Sequence, residues 1–267
     1  MKHSLWVLSL AAVLPFTASA QDASSEAREI IEAVNARNDG AYVSRDATFE
    51  LTDRRGITRV EKTTGYRKYF GDEKRTVIFY TEPSNVRGTG FLTWDYPDID
   101  AEDDQWLYLP ALGKVRRISA SDRGDYFLGT DLTYEEIKKE NKIEIDDYNF
   151  SLLGESEVDG VAVVEVEAIP VNETVARELG YSRIVLSIDP QIQMSRHSEY
   201  WDVNGNRLKT IHNGNIEQID GIWTVTEVNV INHKTDHRTR LLFENIDYET
   251  EVPDRTFNRQ MLERGLR

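Results

Sequence analysis

Near its beginning the chain carries one stretch with a helical repeat of apolar residues. Within residues 24–38, four apolar side chains recur at the i, i+3, i+4 and i+7 spacing that places them on one face of a helix. These positions are Ala27, Ile30, Ile31 and Val34. The pattern predicts one amphipathic helix whose apolar face is buried.

From about residue 49 onward the pattern changes to an alternation of apolar and polar residues. Such alternation is typical of antiparallel strands with one face in water. Tight-turn dipeptides separate several of the runs, namely Asp159-Gly160, Asn204-Gly205 and Asp220-Gly221. We count ten or eleven candidate strands, and no long linker or repeat interrupts them.

Two further helices are expected among the strands. Thr133 and Glu136 have the spacing of a capping box, and Pro253-Asp254 opens a C-terminal helix. Because a large twisted sheet must close, split or be covered, we predict an α+β, mainly β fold. The elements give a single curved antiparallel sheet with helices covering its concave face. Loosely packed helices would leave a lined cavity there.

Composition narrows the classes of function. The 267 residues include 32 lysines and arginines, 47 aspartates and glutamates and no cysteine, which gives a net charge of −15. That acidic excess argues against nucleic acid as a partner and against adhesion to an anionic lipid surface. The lack of cysteine excludes disulfides, thiolate metal sites and cysteine nucleophiles.

Residues 1–20 have the features of a cleavable signal peptide. Leu5 to Phe16 is an apolar run too short to span a bilayer, and Ala18-Ser19-Ala20 matches a small-x-small cleavage site. We therefore predict an exported periplasmic protein, soluble and without a lipid anchor, in which residues 21–267 form a single domain.

Distinctive residues concentrate between positions 87 and 135. The segments are Arg87-Gly88-Thr89-Gly90-Phe91-Leu92, Trp106-Leu107-Tyr108-Leu109-Pro110, Lys114 with Arg116-Arg117, Asp122-Arg123, Gly129-Thr130-Asp131 and Thr133-Tyr134-Glu135. Together with Pro253-Asp254 and Phe257 near the end, they resemble the bacterial family of outer-membrane lipoprotein-sorting proteins. The resemblance covers nearly the whole mature chain.

This resemblance implies a fold similar to that of the periplasmic lipoprotein carriers, an incomplete antiparallel barrel whose open, apolar side is plugged by helices. It also implies a protein that binds the acyl chains of a lipoprotein or lipid without any enzymatic step. We expect the protein to be a monomer without a cofactor. An inner-membrane exporter of the resistance–nodulation–division type is the membrane partner that the resemblance implies.

Five aromatic residues are candidates for lining or gating the lipid cavity: Trp94, Trp106, Tyr108, Tyr126 and Phe127. The alternative for each is ordinary core packing, because alternation in a strand does not say which face is inside. Three arginines are candidates for holding a headgroup or a lid: Arg116, Arg117 and Arg123. Their alternative role is pairing within the chain, with Asp122, Asp125 or Asp131 as partners.

No catalytic or metal-binding residue is predicted. The Gly-x-Ser-x-Gly and His-Glu-x-x-His motifs do not occur in the sequence. Glu135 and Glu136 are adjacent on a predicted helix, where neighbouring side chains diverge by about 100°, so they make a poor acid–base pair. The alternative to a carrier is an accessory subunit of the exporter, or of an outer-membrane assembly factor, with no cargo of its own and a filled interior.

Overall fold

A computed structural model of the protein describes residues 20–98 and 101–265. In these residues thirteen antiparallel strands form one sheet, with four α-helices against it. The strands are β1 (Tyr42–Thr52), β2 (Thr58–Phe70), β3 (Glu73–Glu82), β4 (Gly90–Asp95), β5 (Asp104–Leu109), β6 (Lys114–Ile118), β7 (Tyr148–Val158), β8 (Val161–Pro170), β9 (Tyr181–Asp189), β10 (Met194–Asp202), β11 (Arg207–Ile219), β12 (Ile222–Asn232) and β13 (His237–Asp247). The helices are α1 (Ala20–Ala36), α2 (Tyr134–Lys139), α3 (Glu173–Leu179) and α4 (Arg259–Arg264).

The sheet consists of two meanders that meet in its middle. Its spatial order is β6-β5-β4-β3-β2-β1-β13-β12-β11-β10-β9-β8-β7, so the first and last strands are neighbours. At this seam Phe49 of β1 lies opposite Leu241 of β13. Within the described strands β6 and β7 each have one neighbour, which leaves the barrel open. The predicted fold class, a half-open barrel made from one antiparallel sheet, is confirmed.

The turn dipeptides end the strands where the sequence predicts. Asp159 and Gly160 both have positive φ, at 52° and 78°, as do Asp220 and Gly221, at 51° and 78°. Two consecutive positive φ angles are the conformation of the hairpin turn that Asp-Gly favours. The described part of the chain has more strands than the ten or eleven that we expected.

Helices α1 and α2 cover the concave face. Ala27, Ile31 and Val34 of α1 are buried in the main core, as their spacing predicts, although the helix begins at Ala20 rather than at residue 24. The capping box at α2 is complete: the Glu136 amide donates to the Thr133 hydroxyl, and the Thr133 amide donates to the Glu136 carboxylate. Helix α3, which we did not predict, has Asn172 as its cap.

The C-terminal helix lies on the opposite side from the one we predicted. Leu262 of α4 and Phe257 before it are fully buried on the convex face against β3 to β5. Their neighbours there include Val77, Phe79 and Leu92, whose side chains point away from the cavity. The expectation that all helices cover the concave face is therefore wrong for α4, because alternate residues of β3 and β4 are apolar on both faces.

The predicted signal peptide, residues 1–20, lies outside the described residues except for Ala20, the first residue of α1. Of the helices that the structure describes, none has the length and hydropathy needed to cross a membrane.

Candidate functional site

A cavity of about 180 Å³ lies between the concave face of the sheet and the covering helices. That volume is more than ten times the ~15 Å³ that one buried water needs. Apolar side chains from five strands and α1 line the cavity, among them Ile31, Val34, Phe49, Ile184, Leu186, Ile188, Ile211, Val225, Val228 and Leu241. Successive side chains of a strand point to opposite faces of the sheet, so the apolar residues on the concave side of each strand converge on this space.

Gly65 of β2 forms a gap in the wall near the middle of the sheet. A Cβ atom placed there meets nothing nearer than 3.7 Å, and the φ angle of Gly65 is not positive. The register pairs Gly65 with Arg45 on one side and Ile78 on the other, and both line the cavity. A side chain at position 65 would therefore extend into the cavity.

One end of the cavity is charged, and its centre is Arg67 of β2. The Arg67 guanidinium donates to the carbonyls of Asp39 and Gly40 and lies 3.3 Å from the Asp39 carboxylate. Arg45 of β1 forms an ion pair with Glu140, whose second carboxylate oxygen is 4.0 Å from Arg67 Nε. Lys142 Nζ completes the group at 3.1 Å from Asp39. We call the five charged residues Asp39, Arg45, Arg67, Glu140 and Lys142 the charged end.

Residues 140–144, which follow α2, close the cavity against α1. The Asn35 side chain of α1 donates to the Ile143 carbonyl at 2.7 Å and accepts from the Ile143 amide at 3.2 Å. Glu140 has a φ angle of 60°, a conformation that is costly for a residue with a side chain. This segment therefore joins the two covering helices at the charged end.

The charged end shifts the pKa values of Glu140 and of the neighbouring Tyr69. Burial raises the pKa of the Glu140 carboxyl, but the charges of Arg45, Arg67 and Lys74 outweigh it and lower that pKa to about 2. Burial and the nearby Asp39 charge raise the pKa of the Tyr69 hydroxyl, which donates to the Asp39 carboxylate at 3.1 Å. Glu140 is therefore ionised, and Tyr69 neutral, at neutral pH.

Helix α2 is fixed above the cavity by Lys209 of β11, whose side chain is completely buried. Lys209 Nζ lies 2.6 Å from the Glu136 carboxylate and donates to the Asp131 carbonyl at 2.9 Å. The rings of Tyr181 and Tyr200 each lie 5.1 Å from the same ammonium group. Burial lowers the pKa of Lys209. The group acts as a clamp between the sheet and the cover.

The predicted aromatic residue Phe127 lies in the core beside the cavity. Its ring centroid is 5.0 Å from that of Phe91 and 5.5 Å from that of Tyr134, and the residue has no exposed surface. Tyr126 faces the other way, is 40 % exposed and accepts a hydrogen bond from the Asn232 side chain. Neither residue belongs to the described lining of the cavity.

The other three aromatic candidates lie on the convex face. Trp94 and Trp106 form an edge-to-face pair with centroids 5.1 Å apart, and Tyr108 packs against the same cluster under α4. Trp94 Nε1 donates to the Phe257 carbonyl at 3.1 Å. The sheet separates these residues from the cavity, so the candidate site moves from the predicted aromatic residues to the aliphatic wall described above.

The three predicted arginines occupy separate places. Arg123 pairs with Asp147 at 2.8 Å and with Glu178 at 3.3 Å, rather than with the acidic residues that we expected. Arg117 is exposed on the convex side of β6 and pairs with Asp104 at 2.9 Å. Arg116, on the opposite face of the same strand, is also exposed. None of the three is among the described residues that line the cavity.

Sequence reasoning missed the charged end, although one signal for it exists. In β1 the alternating residues Val43, Ala47, Phe49 and Leu51 are apolar and share a face with Arg45. A charged residue within an apolar alternation needs a partner or a ligand, because burying an unpaired charge is costly. Arg67 and Glu140 are brought to Arg45 only by the pairing of β1 with β2 and by the placement of α2.

Comparisons with known proteins bear on this site. A family model described as an uncharacterized protein matches residues 72–264. A DUF1329 family protein from Desulfovibrio piger is similar in structure, with a TM-score of 0.83 and 27 % identity over 90 % of this chain and 99 % of that chain. A candidate outer membrane lipoprotein-sorting protein domain from Vibrio parahaemolyticus has a TM-score of 0.81 and 27 % identity over the same shares.

A LolA superfamily protein from Nitrosomonas europaea shares the fold, with a TM-score of 0.66 and 19 % identity over 88 % of this chain and 98 % of that one. No curated protein matches the sequence. The resemblance to the outer-membrane lipoprotein-sorting proteins is thus confirmed. The chain belongs to the uncharacterized protein family whose model matches residues 72–264.

Proposed function

We propose that this protein is a non-enzymatic periplasmic carrier that holds acyl chains of a lipid or lipoprotein in the cavity under its half-barrel. The observation that carries the proposal is the apolar wall contributed by β9, β11, β12, β13 and α1. Such a wall offers hydrocarbon a surface that water does not solvate well. Binding and release break no covalent bond, so the proposal assigns no catalytic residue.

The free energy of burying a chain suits a reversible carrier. Each methylene removed from water contributes ~0.8 kcal/mol, so ten methylenes contribute about 8 kcal/mol. Association itself costs roughly 4–15 kcal/mol, which leaves weak to moderate affinity for one chain. A carrier has to release its cargo, and tighter binding would hinder release.

The relatives and the sequence support the cellular setting of the proposal. One similar structure is described as a candidate outer membrane lipoprotein-sorting protein domain. In this setting residues 1–20 direct export and are removed, residues 21–267 form one monomeric carrier, and an inner-membrane exporter of the resistance–nodulation–division type is the partner. Removal of residues 1–20, which contain Lys2 and no acidic residue, changes the net charge from −15 to −16, and this charge would keep the loaded carrier away from anionic membrane surfaces.

The alternative role, an accessory subunit without cargo, predicts an interior filled by side chains. A cavity of about 180 Å³ with an apolar wall favours the carrier instead.

The test fills the cavity from a position that tolerates a side chain. Gly65→Leu places an isobutyl group in the space, whereas Gly214→Leu makes the same change at a strand glycine outside the cavity lining. We expect Gly65→Leu to weaken uptake of the neutral dye N-phenyl-1-naphthylamine about tenfold, because it excludes from the cavity an apolar surface of the dye equivalent to roughly two methylenes.

Gly214→Leu should bind the dye like the unmodified protein, and circular dichroism confirms that both variants are folded. Organic extraction of protein recovered from the periplasm should also yield co-purifying lipid. Equal dye uptake by both variants, or the absence of both lipid and dye binding, contradicts the carrier proposal.

A further inference from the structure

The charged end of the cavity has more cations than acids. Arg45, Arg67 and Lys142 share two carboxylates, those of Asp39 and Glu140. The other acidic residues of the lining pair with different cations, in the pairs Glu135–Lys138, Glu136–Lys209, Glu144–Lys139 and Asp147–Arg123. Lys138, Lys139 and Arg123 also pair with acids outside the lining, namely Asp103, Asp95 and Glu178. The five residues of the charged end therefore carry one more positive than negative charge, within a chain of net charge −15.

Arg67 is the most deeply placed member of this group. Its side chain is 2 % exposed, yet it lines the cavity. Both terminal nitrogens donate to backbone carbonyls, while Nε has no hydrogen-bond acceptor among the described residues. A buried guanidinium donor without an acceptor is costly unless an anion approaches it.

Glu140 supplies the carboxylate that stands nearest to that donor. Its two oxygens face Arg45 and Arg67, and its side chain is 21 % exposed. Its backbone has a φ angle of 60°, and residues held in such conformations cluster at ligand clamps. A ligand that replaced this carboxylate would leave Glu140 free to adopt a more relaxed backbone.

We propose that Arg45 and Arg67 bind the anionic headgroup, a carboxylate or a phosphate, of the amphiphile whose chain occupies the apolar cavity, and that Glu140 competes for the same two arginines. The inference rests on the proposed carrier function and adds the class of cargo: anionic single-chain or multi-chain amphiphiles rather than neutral ones. Arginine suits this role because its planar fork matches both oxyanions.

Three ligands with the same ten-carbon chain test the proposal: decanoate, decyl phosphate and decanol. Each is titrated against the protein loaded with the neutral dye N-phenyl-1-naphthylamine, and the ratio of anion to alcohol affinity is measured. We expect at least one of the two anions to bind about tenfold more tightly than decanol, because charge-assisted hydrogen bonds add to the burial of the chain. The tighter anion identifies the headgroup as carboxylate or phosphate.

Two variants should move this ratio in opposite directions. Arg45→Gln should bring the ratio close to one, and Glu140→Gln should raise it several-fold by removing the competing carboxylate. Arg45 is chosen because it is 18 % exposed, whereas replacing the buried Arg67 threatens folding. Arg183 and Glu167 form an ion pair on other strands and outside the described cavity lining, so Arg183→Gln and Glu167→Gln control for net charge.

The inference is overturned if decanol displaces the dye as well as both anions do, while the carrier proposal stands. It is also overturned if the Arg183 and Glu167 variants shift the ratio as much as the Arg45 and Glu140 variants. If none of the three ligands binds, the carrier proposal fails and the headgroup site fails with it.

Discussion

The two meanders of the sheet use their concave faces differently. In the meander β1–β6, which we call the filled meander, the part of the concave face farthest from the seam is filled, because Phe127 and Tyr134 pack against Phe91 and Tyr80. Its strands β1 and β2 and the middle of β3 border the cavity. In the meander β7–β13 the concave face carries aliphatic residues that border the cavity. The concave face is therefore packed at the outer strands of the first meander, whereas the cavity lies across the seam and is bordered by strands of both meanders.

The filled meander also buries charge beneath α2. Lys74 of β3 lies 3.2 Å from Asp95 of β4, and Lys139 of α2 lies 2.8 Å from the same carboxylate. Burial raises the pKa of the Asp95 carboxyl, but the charges of the nearby lysines outweigh burial and lower that pKa overall. Burial lowers the pKa of Lys74. Such a network fixes α2 in one position, because a buried charge without its partner is strongly destabilising.

The filled meander is packed on its convex face as well, where residues 252–262 cover Val77, Phe79 and Leu92. Strands that are packed on both faces make more van der Waals contacts than strands that border a cavity on one face. The cavity therefore lies in the part of the concave face that the loop carrying Phe127 does not cover.

The largest expected effect comes from emptying the filled meander. Phe127→Ala should lower the free energy of unfolding by about 3–5 kcal/mol, since it removes a fully buried ring with aromatic neighbours on several sides. Urea unfolding measures the change. Val203→Ala, at an exposed hairpin position, is the control and should change stability by less than about 0.5 kcal/mol. A loss below about 1 kcal/mol for Phe127→Ala would show that this meander is not filled.

An intermediate effect is expected at Glu140, between the two meanders. Because its pKa is lowered from 4.5 to about 2, ionised Glu140 stabilises the fold above pH 4.5, and this contribution is lost as the pH falls toward 2. Glu140→Gln should therefore be less stable at pH 7 by roughly 2–3 kcal/mol, with a difference that shrinks below pH 4.5. Urea unfolding from pH 7 to pH 3 tests this, and a pH-independent difference contradicts it.

The smallest effect is a difference between two matched leucines. Leu107 lies in the filled meander and Leu186 borders the cavity, and both are mostly buried on the concave face. Leu107→Ala should cost about 1–2 kcal/mol more than Leu186→Ala, because a side chain beside a cavity loses fewer contacts when it is truncated. Thermal or urea unfolding gives both values. Equal costs would mean that the two meanders are packed alike.

The sequence predicted those structural features that depend only on residues close together in the chain. The Thr133–Glu136 capping box and the Asp159-Gly160 turn are complete within a few residues, so their chemistry can be read directly. The family resemblance supplied the incomplete barrel, which no local pattern contains.

The remaining features depend on contacts between distant residues. Alternation left the facing of Trp94 and Trp106 open. The register of β4 and β5 places them on one face, and the position of α4 shows that this face is convex. The charged end brings Arg45 to Glu140, which is 95 positions later in the chain. Helix α3 escaped prediction because its seven residues give too short a window for a helical repeat.

The seam between β1 and β13 has a consequence for how the molecule assembles. Within each meander, successive strands pair with near neighbours in the chain, whereas the pairing of Phe49 with Leu241 closes a loop of about 190 residues. Contacts so remote in sequence are the slow ones to form. Both residues also border the cavity. The cavity therefore forms only once the two meanders have paired, and neither meander encloses it alone.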